Sequence, residues 1–177
     1  MTAKTLIEHR HALSKNPEAY SFELQDENID RLVKTLVPHL KTSGYTVSPV
    51  KSRAALVQVI RALWEVQDQR PMFHVEGTEL PLCWNAPKNW DLKYVKYEWG
   101  HLQSKNQNPR TAHRLENLAL YSARCNQHIQ TSMNIEELMT YGGVLAHRIS
   151  SVLTRRRFLF ASEEWSGLHA ELPSEGA

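Results

Sequence analysis

Apolar residues recur at helical spacing in several stretches of the chain. Ile29, Leu32, Val33 and Leu36 share one face of a segment from Asp26 to Leu40, with Asp26 as its cap. Pro38 is expected to kink or end that helix. Ser52 to Gln69 gives the clearest pattern: Leu56, Val59, Ile60, Leu63 and Trp64 form one stripe behind a capping Ser52. Residues 2–14 predict a short helix that Asn16-Pro17 breaks. Between 70 and 91 the pattern changes. Pro71, Gly77, Pro81 and Pro87 punctuate short apolar pieces, Met72–Val75 and Leu80–Trp84, which predict short extended segments. Leu92 to Trp99, dense in Tyr, Val and Trp, reads as a strand. A polar loop from Gln103 to Arg110 follows, then a second apolar run over 117–121 and a helix over 122–130. Asn134 caps a short helix to Met139. Val144 to Phe160 is helical, and the tail from Ser166 reads as loose.

The order is therefore helices, then strand–loop–strand–helix, then helices, an α+β class. Three regions are expected: 1–70, helical, for recognition or dimerisation; 71–135, a hairpin-and-helix module; and 136–177, helical with a loose end.

Length and composition narrow the class. The 177 residues suffice for one good core or a small module plus helices. No segment approaches a membrane-spanning run. The charged start of the chain does not read as a secretory signal. Two cysteines, Cys83 and Cys125, make no disulfide framework, so a reducing cytoplasm is expected. The net charge is only +2, yet Lys88, Lys93, Lys96, Lys105, Arg110, Arg114 and Arg124 surround the hairpin, while acids gather at 23–30 and 163–175. That local basicity suits a phosphate-bearing substrate. Arg155-Arg156-Arg157 either tracks a nucleic-acid backbone or sits at an exposed helix end favoured by the dipole. Trp84, Trp90 and Trp99 are core by default, as is His74.

The candidate chemistry lies in Glu98-Trp99-Gly100-His101, then Asn117-Leu118-Ala119-Leu120, then Cys125-Asn126, nine residues after Asn117. This order resembles the HNH, or His-Me finger (ββα-metal), nucleases: a His ending a first strand, a variable loop, an Asn-Leu-x-Leu strand, and a helix opening on Cys-Asn. The resemblance covers 92–135. It implies a ββα-metal hairpin–helix module set among helices, with His101 as the general base and Asn117 holding the loop that orients it. It also implies that Asn126 ligates one divalent metal, Mg²⁺ with Mn²⁺ as substitute. An imidazole titrates near neutrality and can take a proton from water, and an amide oxygen suits a hard cation.

Two departures stand out. Gly100 occupies a slot where many members carry a metal ligand, and instead looks like the Asp-Arg-Gly-His motif of the non-specific DNA/RNA nucleases. The cysteine pairs of a structural zinc are missing. Glu98 is a candidate support for His101 or a water-bridged metal ligand. His128 is a reserve ligand, and His113, Arg114 and Arg124 are candidates for phosphate contact. The expected function is a metal-dependent endonuclease cutting double-stranded DNA, restriction-type or from a mobile element, with homodimerisation as a route to cutting both strands. Two alternatives stand beside it: a non-catalytic nucleic-acid-binding protein on a degenerate scaffold, and an RNA-cleaving toxin-type nuclease.

Overall fold

A computed structural model of the chain describes residues 21–74, 94–128 and 133–172. The expected helix at 2–14, the extended piece at 80–84, and Trp84 and Trp90 lie outside the described residues. The architecture is α+β. In order it runs α1 (Asp26–Thr42), α2 (Arg53–Glu65), β1 (Tyr97–His101), a 3-10 turn (Leu115–Asn117), β2 (Leu118–Ser122), α3 (Ala123–His128), α4 (Ile135–Met139), α5 (Gly143–Phe160) and α6 (Glu163–Ala170).

The two strands pair antiparallel, with Trp99 opposite Leu120 and His101 opposite Leu118. Pairing starts later than the apolar run from Leu92 because Val95 is claimed elsewhere: its N–H donates to the Ser21 carbonyl at 2.9 Å. Two side chains then tie the hairpin to the helices. Buried Asn28 on α1 donates to the Val95 carbonyl at 2.8 Å and accepts the Tyr97 N–H at 3.1 Å. Gln67, just past α2, treats the outer edge of β2 as a third strand would. Its amide donates to the Leu120 carbonyl at 2.8 Å and accepts the Leu120 N–H at 3.0 Å. An exposed strand edge is thereby satisfied.

One apolar cluster joins Leu32, Leu36 and Leu40 of α1, Leu56, Ile60 and Leu63 of α2, Tyr97 and Leu120 of the hairpin, and Ile149, Val152 and Trp165 from the C-terminal helices. Each fully buried aliphatic side chain contributes about 1.5–3 kcal/mol relative to exposure.

The structure departs from several local expectations. Helix α1 passes through Pro38 to Thr42, because wholly buried Leu40 anchors its last turn. The Pro38 carbonyl still accepts the Thr42 hydroxyl at 2.9 Å. Helix α2 stops at Glu65, short of Gln69, since Asp68 and Gln69 take positive φ in the turn that aims Gln67 at β2. Met72 and Phe73 sit in a turn, not a strand. As far as Leu172, the last described residue, the segment after Ser166 is not loose. Ser162 caps α6 by accepting the Trp165 N–H at 3.1 Å, and Trp165 and Leu172 are buried.

The arginine run is also corrected. Arg156 is buried and donates to the carbonyls of Leu118 (2.7 Å) and Glu116 (3.3 Å), bracing the start of β2. Arg155 pairs with Asp68 at 2.6 Å. Only Arg157 of the three is exposed, so the run presents no continuous backbone-tracking surface.

Candidate functional site

The hairpin loop is held shut by Asn117. Its side-chain oxygen accepts the Gln103 N–H at 2.7 Å, and its amide donates to the Gln103 carbonyl at 3.1 Å and the Ala112 carbonyl at 3.2 Å. The Leu102 N–H adds a bond to the Asn117 carbonyl at 2.8 Å. A short polar side chain reaching both ends of a loop must follow it immediately, which is where Asn117 stands. The start of α4 docks on the same loop: the Ile135 N–H donates to the Leu102 carbonyl at 2.8 Å and the Ser104 N–H to the Asn134 side chain at 2.6 Å. His101, the last residue of β1, thus sits between a fixed strand and a fixed loop.

Alternation along β1 sends Tyr97, Trp99 and His101 to one face and Glu98 to the other. On the first face Trp99 donates from its indole to the Leu32 carbonyl of α1 at 2.9 Å. Two turns further along α1 comes His39. Its ring lies 5.4 Å from that of His101 and 5.0 Å from that of His113, centre to centre. The Nδ1 atoms of His39 and His113 are 2.9 Å apart, one donating to the other. Taking one ring nitrogen from each of His39, His101 and His113, all lie within 4.8 Å of one another. The Nε2 of His101 is buried and has no hydrogen-bond partner.

All three rings are half-buried. Burial holds His39 down to about 4, helped by the neighbouring His101, His113 and Lys105. Burial first, then His113 and Lys105, also lowers His101 below its ordinary value. Both are therefore neutral at pH 7, with a lone pair to offer.

On the other face, the Asn126 amide donates to the Trp99 carbonyl at 3.3 Å and to the Glu98 carboxylate at 3.4 Å. Glu98 is also 3.4 Å from the Lys96 ammonium. The structure brings Glu98 and Asn126 together but sets the Glu98 side chain on the opposite face from His101. The side chains of Arg124 and His128 lie outside the described residues. Lys105, Arg110 and Arg114 are exposed on the loop that follows His101. Arg114 also lines a cavity of about 580 Å³ with Gln103, Asn117, Tyr45 and His169.

Gly100 has a packing reason. A Cβ there would lie 1.8 Å from Tyr121 Cδ2 and 2.0 Å from Cε2. Tyr121 is buried and stacks on Phe73 at 4.8 Å. The glycine admits that ring against the strand, so no side chain, ligating or otherwise, fits the slot.

The sequence reading missed His39. It lies 62 positions before His101, and on α1 it looks like one more residue of a half-buried last turn. Nothing in its own neighbourhood points to the hairpin. No family model, no curated protein and no solved structure matches this chain.

Proposed function

We propose that the chain is a metal-dependent endonuclease hydrolysing phosphodiester bonds, with DNA as substrate, built on a ββα-metal module. The observation that supports this most is the placement of His101: a neutral imidazole at the end of β1, on a hairpin whose loop Asn117 clasps, followed directly by α3. In this reading His101 takes a proton from water as the water oxygen attacks phosphorus, and the P–O bond to the 3′ oxygen breaks in line. Asn117 keeps the loop, and with it the His101 ring, in one position. Lys105, Arg110 and Arg114 meet the phosphates flanking the scissile one. The Glu98 carboxylate, which now accepts from the Asn126 amide, and the Asn126 side-chain oxygen, once that amide turns, would hold a hard cation of the Mg²⁺ class. Such an ion supplies Lewis-acid neutralisation of the phosphate.

One observation favours a second reading, a nucleic-acid-binding protein without catalysis. Glu98 points away from His101 across the strand and is already paired with Lys96. Cleavage of supercoiled plasmid with Mg²⁺, Mn²⁺ or EDTA separates the two, run beside His101→Ala and beside an RNA substrate. The nuclease reading expects metal-dependent nicking that disappears in the variant. Binding without cutting under every metal supports the second reading, and cutting of RNA alone moves the substrate.

A further inference from the structure

We infer that His39, His101 and His113 form a binding site for one transition-metal ion of the imidazole-preferring class, with Zn²⁺ as the representative. The site is distinct from the Glu98–Asn126 pair on the other face of β1. It draws on three separate segments: the last turn of α1, the end of β1 and the loop between the strands. Three observations carry it. One nitrogen of each ring lies within 4.8 Å of the others. The His101 Nε2 is buried and unpartnered, a state that costs free energy unless something meets it. The donor set is all nitrogen, which suits Zn²⁺, Cu²⁺ or Ni²⁺ over Mg²⁺ or Ca²⁺.

The geometry is close to what such an ion needs. Zn–N bonds of about 2.0–2.1 Å at tetrahedral angles put ligand nitrogens about 3.3 Å apart. The His39–His113 pair at 2.9 Å must open by a few tenths of an ångström, and His101 must close on them. Without the ion, His39 and His113 satisfy each other and His101 is left over. With it, all three nitrogens point at one centre and a fourth position stays open to water. Among the described residues Lys105 is the nearby cation that opposes binding, and it is exposed and free to swing away.

The site is independent of whether the protein cuts DNA. It does bear on the nuclease reading, since an imidazole whose lone pair is on a metal cannot accept a proton from water. Under that reading Zn²⁺ opposes the Mg²⁺-dependent reaction.

The test is titration of the metal-free full chain with Zn²⁺ by calorimetry, and with Co²⁺ by visible absorption. Wild type, His39→Gln, His101→Gln, His113→Gln and, as control, His147→Gln are compared; His147 is exposed. The expected result is one Zn²⁺ per chain and an intense Co²⁺ band of a tetrahedral site. Affinity falls about tenfold or more in each of the three cluster variants and is kept by His147→Gln. Wild type also carries the test alone, should a variant misfold: Zn²⁺ should shift the ring resonances of these three histidines together. Absence of stoichiometric binding, equal binding by the cluster variants, or shifts at other histidines instead would overturn the proposal. A protein that binds Zn²⁺ here yet, freed of Zn²⁺ and supplied with Mg²⁺ or Mn²⁺, cuts no nucleic acid leaves the site standing and removes only the nuclease reading.

Discussion

At the scale of single residues, Asn117 and Gly100 show how much one side chain, or its lack, decides. Asn117 satisfies one N–H and two carbonyls at the mouth of the loop. Asn117→Asp keeps the acceptor for the Gln103 N–H but sets a carboxylate against two carbonyls. A buried polar group left unmet costs about 1–3 kcal/mol. The substitution is expected to lower unfolding free energy by about 2 kcal/mol in urea titration. A change within a few tenths would mean the loop closes without this side chain. Gly100→Ala meets the buried Tyr121 ring, which cannot swing away without losing its stack on Phe73. Overpacking costs typically about 1–3 kcal/mol. Thermal unfolding of Gly100→Ala should show that loss, and Gly100→Ala with Tyr121→Leu should recover part of it. An unchanged midpoint in the single variant would contradict the close approach. The sequence marks Gly100 as a departure from a motif. Its physical reason lies in a ring twenty-one positions away, which no local pattern reveals.

At the scale of elements, the hydrophobic stripes of α1 and α2 predict those helices because their apolar faces repeat at 3.6 residues. Helix boundaries followed tertiary contacts instead. Pro38 would end an isolated helix, but the burial of Leu40 on the core outweighs the lost hydrogen bond. Helix α6 is the stronger case. Glu163–Ala170 has a weakly periodic sequence, and a single buried aromatic, Trp165, packed on Phe160 at 4.8 Å, holds it. Trp165→Ala is therefore expected to cost about 3–5 kcal/mol, the range for large-to-alanine changes at buried aromatics. Hydrogen exchange should show α6 losing protection ahead of α2. If α6 and α2 lose protection together, the helix is integral to the core and not a clamp on it. Arg156 makes the same point for α5: the helix was legible from its apolar side, but the inward turn of one arginine onto the β2 carbonyls was not.

At the scale of the molecule, half-buried histidines couple folding to pH. Burial, with Arg70 and Arg148 nearby, holds His74 down to about 4, against an ordinary 6.5. The unfolded chain therefore binds a proton that the folded chain refuses between these values. The stability contributed by neutral His74 is full above pH 6.5 and declines as pH falls towards 4, below which both states are protonated. His74→Gln should flatten the fall in urea midpoint between pH 6.5 and 4 relative to wild type. Parallel curves for the two proteins would show that His74 titrates alike in both states. Among the described residues, no helix is long and apolar enough to cross a membrane.

The sequence by itself determined the α+β class and, among the described residues, the helices and strands from α1 to α5, because these rest on periodicities of apolar residues that are local and repeated. It also placed His101 at a strand end and Asn117 at the entry to the next strand, just before Leu118, since turns and strands are short-range features. The tertiary structure alone decided which side chains meet. Strand parity parted Glu98 from His101, and the docking of α1 across the hairpin brought His39 to His101 and His113. Those outcomes depend on the angle and register at which distant apolar faces pack. Many sequences can share one hydrophobic pattern, while the residues gathered at its seams are fixed only when the core closes.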